Sequence, residues 1–118
     1  MSKARFIQIG YAMVGLIAIA LVYFLVKLVI GWGWFVAWMT AVNLVTFLFY
    51  GIDKGMAKTT SVRVPELYLH VGALAGGFVG GWAGMFAFHH KTNWKEHPLF
   101  PIILILSTII YALMIVFI

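Results

Sequence analysis

The chain has 118 residues, a formal net charge of +5 and no cysteine; it is 64% hydrophobic and 9% charged, with a mean hydropathy of +1.07. Soluble domains run about 45–50% apolar and about 25% charged, so this composition excludes an ordinary water-soluble globule. The length suits one domain, and without cysteine there is no disulfide framework or thiolate site.

The expected fold is all-α: a single membrane domain over residues 1–118, with four transmembrane helices in a small bundle. A spanning helix needs about 20 mostly apolar residues. The first candidate runs from about 6 to 30, interrupted only by Gln8 and Lys27. Lys27 can snorkel to the headgroups, and the segment is too long for a signal-peptide core, so a retained anchor is expected. Gly31 leaves almost no loop before the second candidate, about 32–52, and implies a tight antiparallel hairpin. Trp32 and Trp34 at its start fit an interfacial belt.

A polar, basic loop follows, "DKGMAKTTSVRV". The third candidate covers about 67–88 and is opened by Pro65 and Glu66, which suit a first helical turn and its positive dipole end. The loop "HHKTNWKEHP" leads to the fourth candidate, about 99–118, where Pro101 has the same first-turn role. Four straight spans put Lys3, Arg5, Lys54, Lys58 and Arg63 on one side and Lys27, Lys91 and Lys95 on the other. This five-to-three excess favours both termini in the cytoplasm of a multi-pass inner-membrane protein.

Polar residues fall in three groups. Asn43, Thr46, Tyr50 and Asp53 share one helical face, extended by Thr40. They read as interhelical glue or, alternatively, as a proton or ion path. Asp53, Lys54, Arg63 and Glu66 bracket the middle loop. They read as an ion-paired cluster or as a phosphate or lipid-headgroup site. His89, His90, Lys91 and Thr92 form a second headgroup candidate. Neither they nor His97 match a helical metal-ligand spacing. His70, one turn after Glu66, reads as a structural hydrogen-bonding group, with a porphyrin-type axial ligand as the alternative. No catalytic residue, metal or cofactor is expected.

The stretch "GALAGGFVGGWAGM" holds six glycines in fourteen residues. Gly72, Gly76, Gly80 and Gly84 repeat at four-residue spacing, and Gly77 and Gly81 widen the stripe. This small-xxx-small pattern allows two helices to approach until their backbones touch; the second helix is the expected partner. A straight third span is preferred over a re-entrant one. It would put Glu66 and His90 roughly 36 Å apart, on opposite membrane faces.

In order and at these distances, Asn43, Thr46, Phe47, Tyr50, Asp53, Lys54, Ala57, Arg63, Pro65, Glu66, Leu69, Gly76, Gly77, Gly80, Phe88, His90, Lys91 and Thr92 resemble the domain-of-unknown-function 1294 family of small bacterial membrane proteins. The resemblance covers about half the chain and implies an integral membrane protein with no established activity. Some relatives carry a cold-shock domain; none is visible here, so no nucleic-acid partner is expected. His89 stands where the family usually has Arg, and Lys95 and Phe100 are spaced differently. The expected partners are the lipid bilayer and other membrane subunits or further copies of the chain. The leading functional expectation is a structural or accessory module of a membrane complex. The alternatives are an oligomeric transporter or channel, and a lipid- or polyprenyl-phosphate-binding protein or enzyme.

Overall fold

The computed structural model of the chain describes residues 2–57, 64–87 and 98–117. The described residues form five α-helices: α1 (Lys3–Leu25), α2 (Trp34–Ala57), α3 (Glu66–Gly72), α4 (Phe78–Ala87) and α5 (Leu99–Phe117). Ser2 caps α1, its hydroxyl accepting from the Arg5 amide at 3.1 Å. A wide π-type turn, Val26–Ile30, extends α1, and the left-handed Gly31 (φ 87°) closes it, its N–H donating to the Val26 carbonyl. The chain then reverses into α2, which runs five residues beyond its expected end and carries Asp53 into a fully buried position. Trp32 lies in the turn rather than in the helix.

Four stretches are long and apolar enough to cross a membrane: Lys3–Ile30, Trp34–Gly55, Glu66–Ala87 and Leu99–Phe117. The third does not run straight. A π-type turn, Ala73–Gly77, joins α3 to α4, and inside it Gly76 has φ 126°. An L side chain rarely adopts that conformation, and glycine adopts it freely. At this residue the segment doubles back.

Contacts with neighbouring helices give the direction of each arm. Tyr68, at the start of α3, donates its hydroxyl to the Gln8 carbonyl near the start of α1 at 3.1 Å. Ala75 and Gly76 reach Trp38 and Asn43, near the other end of α2. Beyond the turn, Gly80 lies against Asn43 and Gly84 against Tyr50. Thus α3 runs antiparallel to α2 and α4 runs back parallel to it. Helix α5 begins beside the start of α3, with the Phe100 ring 4.5 Å from His70 and 6.0 Å from Tyr50. It then descends until Tyr111 stacks on Phe78 at the hairpin tip.

The expectation of a straight third span is therefore corrected, and so is the corollary that both termini lie at one end. The start of α1, the end of α2, the start of α3, the end of α4 and the start of α5 gather at one end of the bundle. The α1–α2 turn and the end of α5 lie at the other. The glycine repeat looked continuous because a four-residue spacing does not reveal a change in backbone sign at one residue. Both arms still meet α2, one on either side of the break.

The core lies between α2, the hairpin and α5, where Tyr50, Val64, Leu69, Met85, Phe100 and Leu104 are almost completely buried. Helix α1 packs along α2 but leaves most of its apolar side chains exposed. The closest approach is at Gly80, where a Cβ would fall on the Asn43 carbonyl. Backbone cannot yield there as a side-chain tip can. Gly80→Ala is expected to destabilise the protein by about 2–3 kcal/mol, whereas Gly10→Ala, whose Cβ would meet open space, leaves the thermal midpoint in detergent unchanged or raised.

Candidate functional site

Breaking a helix frees backbone groups that must find other partners, because an unsatisfied buried group costs about 1–3 kcal/mol. At the hairpin tip three consecutive carbonyls are capped by side chains from two other helices. Tyr111 of α5 donates its hydroxyl to Leu74 at 2.7 Å. Trp38 of α2 donates its indole N–H to Ala75 at 2.8 Å. Asn43 donates its amide Nδ2 to Gly76 at 3.0 Å and also to the Met39 carbonyl of its own helix at 2.7 Å. The Asn43 Oδ1 accepts from the Gly80 N–H at 2.7 Å. One amide therefore binds the carbonyl end of one arm and the N–H end of the other.

The rest of the predicted stripe continues along the same face of α2. Thr46 is 4% exposed and packs under Gly72 and Gly77. Tyr50 lies beneath Gly84 and, through its ring edge, near Gly81, which also faces Leu104 of α5. Asp53, 1% exposed, ends the stripe and is close enough to Tyr50 to interact with it electrostatically. Thr40 stays outside this set and donates to its own helix, at Val36. From Asn43 to Tyr50 the stripe is thus packed against the glycines of the hairpin.

At the end of the bundle beyond Asp53 lie Lys54, half-buried, and Glu66, exposed. Glu66 interacts electrostatically with half-buried His70, one turn along α3. Arg63 and the whole second cluster, His89, His90, Lys91 and Thr92, lie outside the described residues. The chain nevertheless leaves the described structure at 57 and 87 and rejoins it at 64 and 98, and all four points are at this one end. No group of three or more His, Cys, Asp or Glu that could hold a metal is present among the described residues.

Two caps, Trp38 and Tyr111, escape a reading of motif spacing because they lie in otherwise apolar segments. The available signal was chemical. An aromatic ring with a polar hydrogen in mid-segment usually has a hydrogen-bond partner. The same signal applies to Trp82, which donates to Thr108 of α5 at 3.0 Å.

Together these features define a helical protein with membrane-length apolar segments, one of them a doubled-back hairpin held at its tip by side-chain caps. The profile of the protein family of unknown function DUF1294 matches residues 43–97, from the clamping asparagine through both arms of the hairpin. An uncharacterised protein of Bacillus subtilis (strain 168), YsdA, is 35% identical over 81 residues, covering 65% of this chain and 88% of the relative. The chain belongs to the DUF1294 family. No solved structure matches it.

Replacing Asn43 by Leu strands the Gly76 carbonyl and the Gly80 N–H. The expected loss is about 3 kcal/mol or more, from two buried groups at about 1–3 kcal/mol each, measured by thermal unfolding in detergent. Asn43→Asp does not rescue it, because a carboxylate sets a second acceptor against the Gly76 carbonyl.

Proposed function

We propose that the chain is an integral protein of the bacterial cytoplasmic membrane, with three crossing helices and one re-entrant hairpin, and that its basic end binds a phosphate-bearing lipid headgroup. The observation that carries this reading is the doubling back at Gly76, which brings chain points 57, 64, 87 and 98 to the same end of the bundle. The sequence between these points carries Arg63 and Lys91, and Lys54 lies near the end of α2. On a straight third span the segment carrying Lys91 would start a membrane thickness away from Lys54 and could not share a ligand with it.

Charge distribution supports the topology independently. Among the described residues, Lys3, Arg5 and Lys54 lie at one end and Lys27 at the other; Lys58, Arg63, Lys91 and Lys95 fall in the sequence between chain points that all lie at the first end. Lys and Arg accumulate on the cytoplasmic side of membrane proteins, so the start of the chain is placed inside and the end of α5 outside. Re-entrant backbone is tolerated at membrane depth only where protein or water surrounds it. Here Gly76 and Gly77 are buried and the freed carbonyls are capped. Guanidinium and ammonium groups suit phosphate.

A structural or accessory role in a larger membrane complex is the second reading. It is favoured by the number of described motif atoms used inside the chain itself, at Asn43, Thr46, Gly77 and Gly80. Co-purification of a fixed partner in mild detergent distinguishes it.

The chain has no cysteine, so single-cysteine labelling has no background. Thr60→Cys and Asn93→Cys are expected to react with an impermeant maleimide from the cytoplasmic face only, and a cysteine added after Ile118 from the opposite face only. Labelling of positions 60 and 93 from opposite faces defeats the proposal. Titration of the purified protein with short-chain phosphatidylglycerol is expected to show binding weakened about tenfold by Arg63→Gln, the loss of one charge-assisted contact. Equal binding by the variant removes the headgroup assignment.

A further inference from the structure

The third segment fits a membrane in two ways. Glu66–Ala87 is 22 residues long, about 33 Å as a straight helix at ~1.5 Å per residue, enough for a hydrocarbon core of about 30 Å. Folded at Gly76 it becomes two arms, 66–76 and 77–87, each about 16 Å long, with the tip near mid-depth. Glycine takes a helical backbone as readily as the observed φ of 126°, so residue 76 permits both forms. The straight form frees no backbone groups in mid-segment. The hairpin frees the carbonyls of Leu74, Ala75 and Gly76, and it is tolerable at membrane depth because all three are capped. The segment is also the least apolar of the four of membrane length, so hydropathy drives its crossing least.

We propose that α2 is an intramolecular template for the orientation of α5: Trp38 and Asn43 capture the third segment as a hairpin before α5 inserts. This inference rests on the re-entrant reading above and names the residues that decide it. The order of the caps along the chain carries the argument. Trp38 and Asn43 precede the carbonyls they cap by 37 and 33 residues, whereas Tyr111 follows Leu74 by 37. A chain is made from its N-terminus, so two caps are waiting when the third segment emerges and the third cap is not yet present.

The face of α2 from Asn43 to Tyr50 is built to receive both arms. Gly72 and Gly77 lie over Thr46, Gly80 lies against the Asn43 backbone, and Gly84 lies over Tyr50. Asn43 joins the arms by donating to the Gly76 carbonyl and accepting from the Gly80 N–H. A straight helix spreads Gly72 to Gly84 over about 18 Å, so two turns of α2 could meet only part of it. Helix α5 then seals the captured hairpin. Tyr111 caps Leu74, Phe100 packs on His70, and Leu104 packs at Gly81. These contacts form only once α5 has already entered from the end to which the hairpin returned the chain.

The test reads orientation on newly made full-length chains with an impermeant maleimide, so a variant that is later degraded still reports. One set of chains carries Lys3→Cys and a second set a cysteine added after Ile118. In the otherwise unchanged protein the two cysteines are expected to label from opposite faces. Trp38→Phe combined with Asn43→Leu is expected to raise the fraction with both on one face about a hundredfold, on the order of tenfold for each cap lost. The Lys3→Cys label stays on its original face, which separates reorientation of α5 from inversion of the whole chain. Tyr111→Phe is expected to lower the thermal midpoint in detergent and leave orientation unchanged, because its cap arrives after the choice. Gly76→Ala, which disfavours the positive φ, is expected to reorient α5 as the α2 pair does. Same-face labelling of the unchanged protein defeats the re-entrant reading and this inference with it. Opposite-face labelling in both the unchanged protein and the α2 double variant defeats this inference alone, as does reorientation by Tyr111→Phe or movement of the Lys3→Cys label.

Discussion

One side-chain amide holds the architecture together. Asn43 donates to the carbonyl of Gly76 and accepts from the N–H of Gly80, joining the two arms of a helix that breaks between them. In apolar surroundings a broken helix is tolerable only if its freed groups are paired. Trp38 and Tyr111 complete the set by capping the two preceding carbonyls. The break also needs Gly76, whose positive φ turns the chain, and Gly80, which permits α4 to reach the Asn43 carbonyl. Each feature depends on the others: without the turn the asparagine faces one arm only, and without the close approach its oxygen cannot reach Gly80.

The consequence is one of parity. A straight third helix and a doubled-back one contain the same residues, but they deliver the later part of the chain to opposite ends. With the hairpin, Phe100 meets His70 and Tyr50 instead of lying a bundle length away. The family-matched region, residues 43–97, holds both the clamping asparagine and the arms it clamps. Much of what the motif encodes is thus the hairpin, and Asp53, Lys54 and Glu66 lie at the end to which the hairpin returns the chain.

The same divergence of the arms shapes the outer surface. Helix α3 approaches α2 at Gly72 while α1 approaches it at Gly15, where Phe49 fills the space a side chain would take. Between these two contacts α1 and α3 do not close on each other.

Hydrophobic run length and composition were enough to mark four membrane-length helices, because apolar runs of about 20 residues are a local property. The shared face of Asn43, Thr46, Tyr50 and Asp53 was equally legible, because helical periodicity alone aligns them. The turn at Gly76 was not. A glycine in a four-residue repeat serves a straight contact face and a reversal equally well, and only caps 33 to 37 residues distant in sequence make the reversal stable. Trp38 and Tyr111 looked like ordinary members of apolar segments for the same reason. Local pattern determined which segments are helical and which faces are polar; tertiary structure decided which way the third segment runs, because that choice rests on long-range hydrogen bonds to the backbone it exposes.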